Sequence, residues 1–286
     1  MDQRSVATAT RWRLLGCDFS SAPNRRKPIV LALGELVGDR VELAAFERFE
    51  SLVDFGRWLA KPCAPGSGWV GAFDFPFGLP RELVLHMGWP NEWRACMRHY
   101  AALPRSEIRA LFAAFCNQRP AGAKFAHRAT DRPAGSSPSM KWVNPPVAFM
   151  LHAGVPLLLD AGVRLPGLCA GDPQRIALEG YPGLLARESL GRRSYKADDR
   201  SRQSCERRDA REYLVERLER GETRLGLGPR LPQALRSSMI ADGSGDHLDA
   251  ALCLMQAAWA LAEHRRGEPS WGLPAFDPLE GWIITA

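Results

Sequence analysis

No run of apolar residues in this chain is long enough to cross a bilayer as a helix. The first ten residues, MDQRSVATAT, hold no apolar core of a secretory signal. Cysteine is unpatterned: the seven cysteines are scattered, with no C-x-x-C. An odd set without a signal reads as reduced thiols, so the expected compartment is the cytoplasm. Cys96 and His99 have a ligand-like spacing, but no second pair answers them, and the six histidines form no zinc-type cluster. There is no G-x-x-x-x-G-K-[ST] loop, no G-x-G-x-x-G between strand and helix, and no G-x-S-x-G elbow. The loop Asp242-Gly-Ser-Gly-Asp246 has His247 and Cys253 where a calcium loop needs glycine and an acid, which excludes that site.

What is present is an ordinary globular composition, 45% hydrophobic and 24% charged over 286 residues, enough for one large domain or two small ones. The net charge of +6 is carried mostly by Arg. It suits an anionic partner or, equally, a solvated basic surface.

The chain opens with three β-rich segments: Arg11 to Asp18, Pro28 to Val37 and Arg40 to Phe49. Short turns between them favour an antiparallel meander. Leu52, Val53, Phe55, Trp58 and Leu59 fall at helical spacing before the stop at Lys61-Pro62. The next strand, Trp69 to Phe75, is then parallel to the first, because a helix crossover separates them. Residues 81–172 read as an insertion within a single domain of residues 1–286, whose core is about 11–80 and 173–286. The insertion carries helices over Glu82 to Met87, Glu92 to Ala102 and Ser106 to Asn117, the last capped by Ser106. A basic loop follows, Gln118 to Pro146, with Lys124, Arg128 and Trp142; long irregular loops of this kind are functional or disordered. Val147 to Ala153 is helical. Arg175 to Glu179 reads as a buried strand, and Leu184 to Arg236 as Arg-rich helix with i,i+4 pairs or a phosphate-tracking face. Asp246 to Glu263 reads as a final helix, and Pro278 to Ala286 as an edge strand or packed extension.

Acidic residues recur at the ends of these elements. Asp18, Asp74 and Glu179 each end a strand, and Asp246 and Asp249 share one face of the last helix's first turn. Each alone has a structural explanation, as an Asx-turn residue or a helix-dipole partner. Parallel strands present their carboxyl ends to one crevice, and carboxylates gathered there need cations. Oxygen-only ligands select Mg²⁺ or Mn²⁺. Ser20 and Ser21 follow Asp18 and are candidate phosphate contacts, as are Lys124, Arg128 and Lys196.

Four segments, Gly16-x-Asp18, Asp74-x-Pro76-x-Gly78-Leu79-Pro80, Glu179-x-Tyr181-Pro182 and Asp246-x-x-Asp249-Ala250, together resemble the DUF429 family. Glu280-Gly281-Trp282-Ile283 adds to the likeness, which spans roughly Leu14 to Thr285. Members of that family are predicted nucleases of ribonuclease H-like fold. The resemblance implies an α/β chain whose mixed sheet has three antiparallel strands followed by two parallel ones, flanked by helices. It also implies a metal-dependent phosphodiester hydrolase using two divalent ions, with Asp18 bridging them, Asp74 and Asp249 completing them, and Asp246 or Glu179 as a ligand or supporting group. The chain departs from the ribonuclease H pattern by lacking a glutamate in the helix after the third strand. It departs from the junction-resolvase pattern by carrying Asp, not Glu, on the fourth strand. The expected partner is nucleic acid or a phosphorylated small molecule, with no membrane. Two rivals remain: an ATP-binding phosphotransferase of the actin and sugar-kinase type, suggested by Gly16-x-Asp18-x-Ser20-Ser21, and a non-catalytic nucleic-acid-binding module.

Overall fold

A computed structural model describes residues 10–286; the reading of the N-terminal residues as lacking a secretory signal lies almost wholly outside them. The chain forms an α/β structure in which a seven-stranded mixed sheet is flanked by helices on both faces. Strand β1 (Arg11–Asp18), β2 (Ile29–Val37) and β3 (Arg40–Phe49) form the antiparallel meander. Helix α1 (Leu52–Leu59) is capped by Ser51, whose hydroxyl accepts from the Asp54 N–H. It leads to β4 (Ser67–Phe73), which pairs parallel to β1.

Helices α2 (Arg81–His86), α3 (Trp93–Ala102), α4 (Arg105–Asn117), the single turn α5 (Asp131–Ala134) and α6 (Val147–Asp160) follow. Next come the short β5 (Val163–Arg164), then β6 (Asp172–Glu179), parallel to β4. The remaining elements are α7 (Pro182–Leu190), α8 (Cys205–Glu219), β7 (Gly228–Arg230), α9 (Gln233–Ala241) and α10 (Asp246–Arg265). The strand order is β5-β6-β4-β1-β2-β3-β7. Among the described residues no helix is long and apolar enough to cross a membrane.

The strand pleat divides the core in two. Leu14, Val30, Ala72 and Leu178 face α7 to α10, whereas Leu15, Leu31, Phe73 and Ala177 face α1 to α6. The segment expected to be an insertion therefore supplies most of the covering of one sheet face, beside α1, with Trp93, Tyr100 and Phe112 buried there. It also adds β5 to the sheet edge, beyond the helix and loop expected there.

Two local expectations change, and a third narrows to one of its alternatives. Helix α4 starts after Pro104 with no side-chain cap, and Ser106 lies inside its first turn. The stretch between Leu184 and Arg236 is broken by β7, which pairs with β3. The C-terminal residues pack as an extension that touches the sheet through one bridge, Glu179 to Ile283.

Candidate carboxylate site

Register puts two of the acids side by side. Cys17 pairs with Phe73 across β1 and β4, and the Asp74 N–H donates to the Cys17 carbonyl at 2.9 Å. Asp18 and Asp74 thus occupy the next row, at the carboxyl ends of neighbouring parallel strands. Helix α10 lies over that row because β1 offers it glycine. A Cβ on Gly16 would stand 2.1 Å from the Ala250 carbonyl oxygen and 2.1 Å from the Leu254 nitrogen. No other residue lets the helix backbone sit so low, and its first turn carries Asp246 and Asp249 to the strand ends.

Asp249 is 1% exposed and fully engaged: it accepts from the Tyr195 hydroxyl at 2.5 Å and forms an ion pair with Lys196, which stays 42% exposed. Residues 195–196 are held by Arg211 of α8, whose guanidinium donates to the Tyr195 carbonyl at 2.7 Å and the Ile240 carbonyl at 2.8 Å. One buried arginine of the Arg-rich helix is therefore an anchor. Elsewhere that helix makes the expected i,i+4 pair, Arg220 with Glu216, and Arg236 of α9 reaches Glu212, Glu216 and Glu219.

Four carboxylates face one ammonium, and the protonation of Asp18, Asp74 and Asp246 reflects it. Burial raises Asp18 well above the usual carboxylate range, and Asp249 raises it further, against the opposing pull of Lys196. Burial pushes Asp74 up to about 7, with Asp249 and Glu179 adding to it. Asp246 rises to about 6 through burial and then Asp242. Burial works against the Lys196 charge, but Asp249, Tyr195 and Asp18 outweigh it and hold the ammonium well above its ordinary range.

Glu179 is placed elsewhere. It shares a row with Cys17 and Phe73, one residue out of phase with Asp18 and Asp74, so the pleat turns it to the opposite face. There it accepts from both terminal nitrogens of Arg128, at 2.8 and 2.6 Å, and from the Phe77 N–H at 2.9 Å. Arg128 also donates to Asp131 at 2.9 Å, and all three are buried, Arg128 only 2% exposed. An expected phosphate contact is thereby the counter-ion of an expected ligand. Lys124 lies on a separate exposed hollow with His127 and Arg132. Ser20 is buried beside Phe19, and Ser21 gives its carbonyl to Arg105 at 2.7 Å.

A cleft of about 430 Å³ opens from this site. It is lined by Asp74, Tyr195 and Lys196, by the buried pair Arg128 and Glu179, by Ser136 and Ser137 of the basic loop, and by α6 and α7 with the segment after it. Tyr195, Asp131 and the cleft role of Arg187 were not legible in the sequence. Tyr195 adjoins a flagged lysine, which is the only signal it gives.

No protein-family model, no curated protein and no solved structure matches the chain. The donor chemistry can be judged from the residues themselves. Asp18, Asp74, Asp246 and Asp249 form an oxygen-only set with a deficit of positive charge, which fits a hard divalent ion. Among the described residues no three His, Cys, Asp or Glu side chains converge on a single point as placed. Asp249 instead spends its oxygens on Tyr195 and Lys196. An ion entering here has to draw Asp249 away from the ammonium.

Proposed function

We propose that this chain is a Mg²⁺- or Mn²⁺-dependent phosphodiester hydrolase of ribonuclease H-like type, as its resemblance to the DUF429 family implies. The reading is supported by the sheet order, in which the meander β1-β2-β3 is followed by β4 and β6 parallel to β1, with β5 and β7 as added edges. The observation that carries it is the gathering of Asp18, Asp74, Asp246 and Asp249, the first three held above the usual carboxylate range, beside a cleft lined by Asp74, Arg187, Arg193 and Lys196.

Asp18, Asp74 and Asp249, with Asp246 beside them, would hold the ions. Bound divalent ions there supply charge neutralisation at the phosphoryl oxygens and lower the pKa of water. The chain's own groups do the rest. Tyr195 fixes one oxygen of Asp249, so the rotamer of that carboxylate is set before anything binds. The ion pair of Lys196 with Asp249 would weaken with a cation on Asp249, and the exposed ammonium would then be available to a phosphate oxygen. In the reaction a water oxygen attacks phosphorus, the ester P–O bond breaks, and the alcohol oxygen leaves with the bonding pair and takes up a proton.

The test is cleavage of DNA, RNA, junction and small phosphodiester substrates by purified protein with and without Mn²⁺. Metal-dependent cleavage that Asp18→Asn abolishes is the expected result. Cleavage that survives that substitution, or no cleavage of any substrate, overturns the proposal.

A further inference from the structure

The cleft beside the carboxylates has a character of its own. Arg187 and Arg193 line it, and neither has a carboxylate partner among the described residues. Arg187 is nevertheless held in place. Its guanidinium donates to the Ala134 carbonyl at 3.0 Å and to the Tyr181 hydroxyl at 3.0 Å. Gly135 makes room for it: a Cβ there would lie 2.1 Å from an Arg187 nitrogen, and φ at Gly135 is +61°. An arginine fixed by neutral acceptors keeps its whole positive charge for a ligand.

The walls are equally fixed. Ser136, on the rim, donates to Asp131 at 3.1 Å, and Asp131 is locked to buried Arg128. The Arg187 bond to Ala134 joins the loop wall to the α7 wall. A cleft of about 430 Å³ tied across in this way suits a bounded ligand, since small-molecule sites run from about 300 to 1,000 Å³. A specific duplex contact, by comparison, covers about 1,000–2,500 Å² of open surface. Val147 and Met150 of α6 and the ring of Tyr181 give the same cleft an apolar wall.

We propose that this cleft binds a small phosphate ester with an aromatic or heterocyclic body, and that the substrate is such a compound and not polymeric nucleic acid. The assignment rests on the phosphodiesterase reading for its chemistry but not for its binding. Arg187 and Arg193 take the phosphate, with Lys196, paired with Asp249 in the metal-free protein, as a secondary contact, while Tyr181, Val147 and Met150 take the ring.

The experiment is calorimetry on the full chain in EDTA, with adenosine 5′-monophosphate, phenyl phosphate and inorganic phosphate as probes and a short DNA duplex as competitor. Both esters are expected to bind more tightly than inorganic phosphate. Arg187→Ala and Arg193→Ala are each expected to weaken them about tenfold or more, the loss of a charge-assisted contact. Arg187 also braces the loop, so the exposed Arg193 variant, checked for unchanged thermal unfolding, keeps the test sound. Arg230→Ala, which removes a cation on the edge strand β7 outside the cleft, should retain binding. Failure of all three probes to bind, or tight duplex binding that the monophosphate does not displace, overturns the proposal. Binding of the esters without Mn²⁺-dependent hydrolysis of bis(p-nitrophenyl) phosphate leaves the cleft assignment standing and removes the hydrolase reading.

Discussion

Asp74 keeps a proton at a pH where a solvated aspartate has long lost it, because burial and Asp249 both disfavour its charge. Its folded pKa, about 7, lies above the unfolded value of about 3.9. Between those values the folded state binds more protons than the unfolded one, so stability falls as pH rises and the full penalty is present above pH 7. The metal-free protein should therefore lose melting temperature between pH 5 and 8, and Asp74→Asn should flatten the decline, as thermal unfolding across pH will show. Lys196 works against the same strain from the other side. Lys196→Met is expected to lower the metal-free melting temperature and to enlarge the stabilisation gained from Mn²⁺, read as the difference between EDTA and Mn²⁺ scans. A smaller Mn²⁺ gain would mean that Lys196 does not compete for Asp249. Arg128 illustrates a different dependence, since its removal strands Glu179 and Asp131 as buried charges. Arg128→Ala should cost about 3–5 kcal/mol in urea unfolding.

At the level of elements, the distance between α10 and β1 governs the site. The contact exists because Gly16 has no side chain, and the helix backbone occupies the space a Cβ would need. Gly16→Ala has no flexible neighbour to push aside, so it must lift α10. The expected cost is at least the about 1–3 kcal/mol of an overpacked core, measured by chemical denaturation. Lifting α10 also moves Asp249 away from Asp18, so Mn²⁺ affinity should drop more than for Gly34→Ala, which meets a β3 carbonyl on the neighbouring strand. Gln256 ties the same helix outward: it accepts from the Tyr181 N–H at 2.9 Å and donates to the Ile284 carbonyl at 3.0 Å. Helix position, α7 and the chain end are thus mechanically one unit.

At the scale of the whole molecule, the C-terminal segment fastens the loop to the sheet. Glu280 accepts from the Arg81 and Ala129 N–H groups at 3.0 and 2.7 Å, and the Leu79 N–H donates to the Leu279 carbonyl at 3.2 Å. Gly78 permits this, since a Cβ there would lie 2.3 Å from the Leu279 oxygen. Arg81 pairs with Asp277, and the Ile283 N–H donates to the Thr130 hydroxyl at 3.0 Å. Removing residues 277–286 should free the loop of residues 118–146, giving early proteolytic cuts within it and losing ester binding in the cleft before global unfolding. A truncated chain that resists protease as the full chain does would refute the fastening role.

The sequence by itself determined the order of β1 to β4, β6 and the main helices, but not the short β5 and β7, because alternation, helical spacing and breakers are local properties of the chain. It also determined that Asp18, Asp74 and the pair Asp246 and Asp249 stand at element ends. Only the tertiary structure decided which acids share a face. Glu179 lies one residue out of phase, and a period of two converts that single step into the opposite side of the sheet. Partner choice was equally out of reach: Arg128 and Glu179 are 51 residues apart, and Lys196 and Asp249 are 53 apart. A charge on a loop looks the same in sequence whether it meets solvent, a phosphate or a buried carboxylate, because the free energy that decides among them depends on burial and distance.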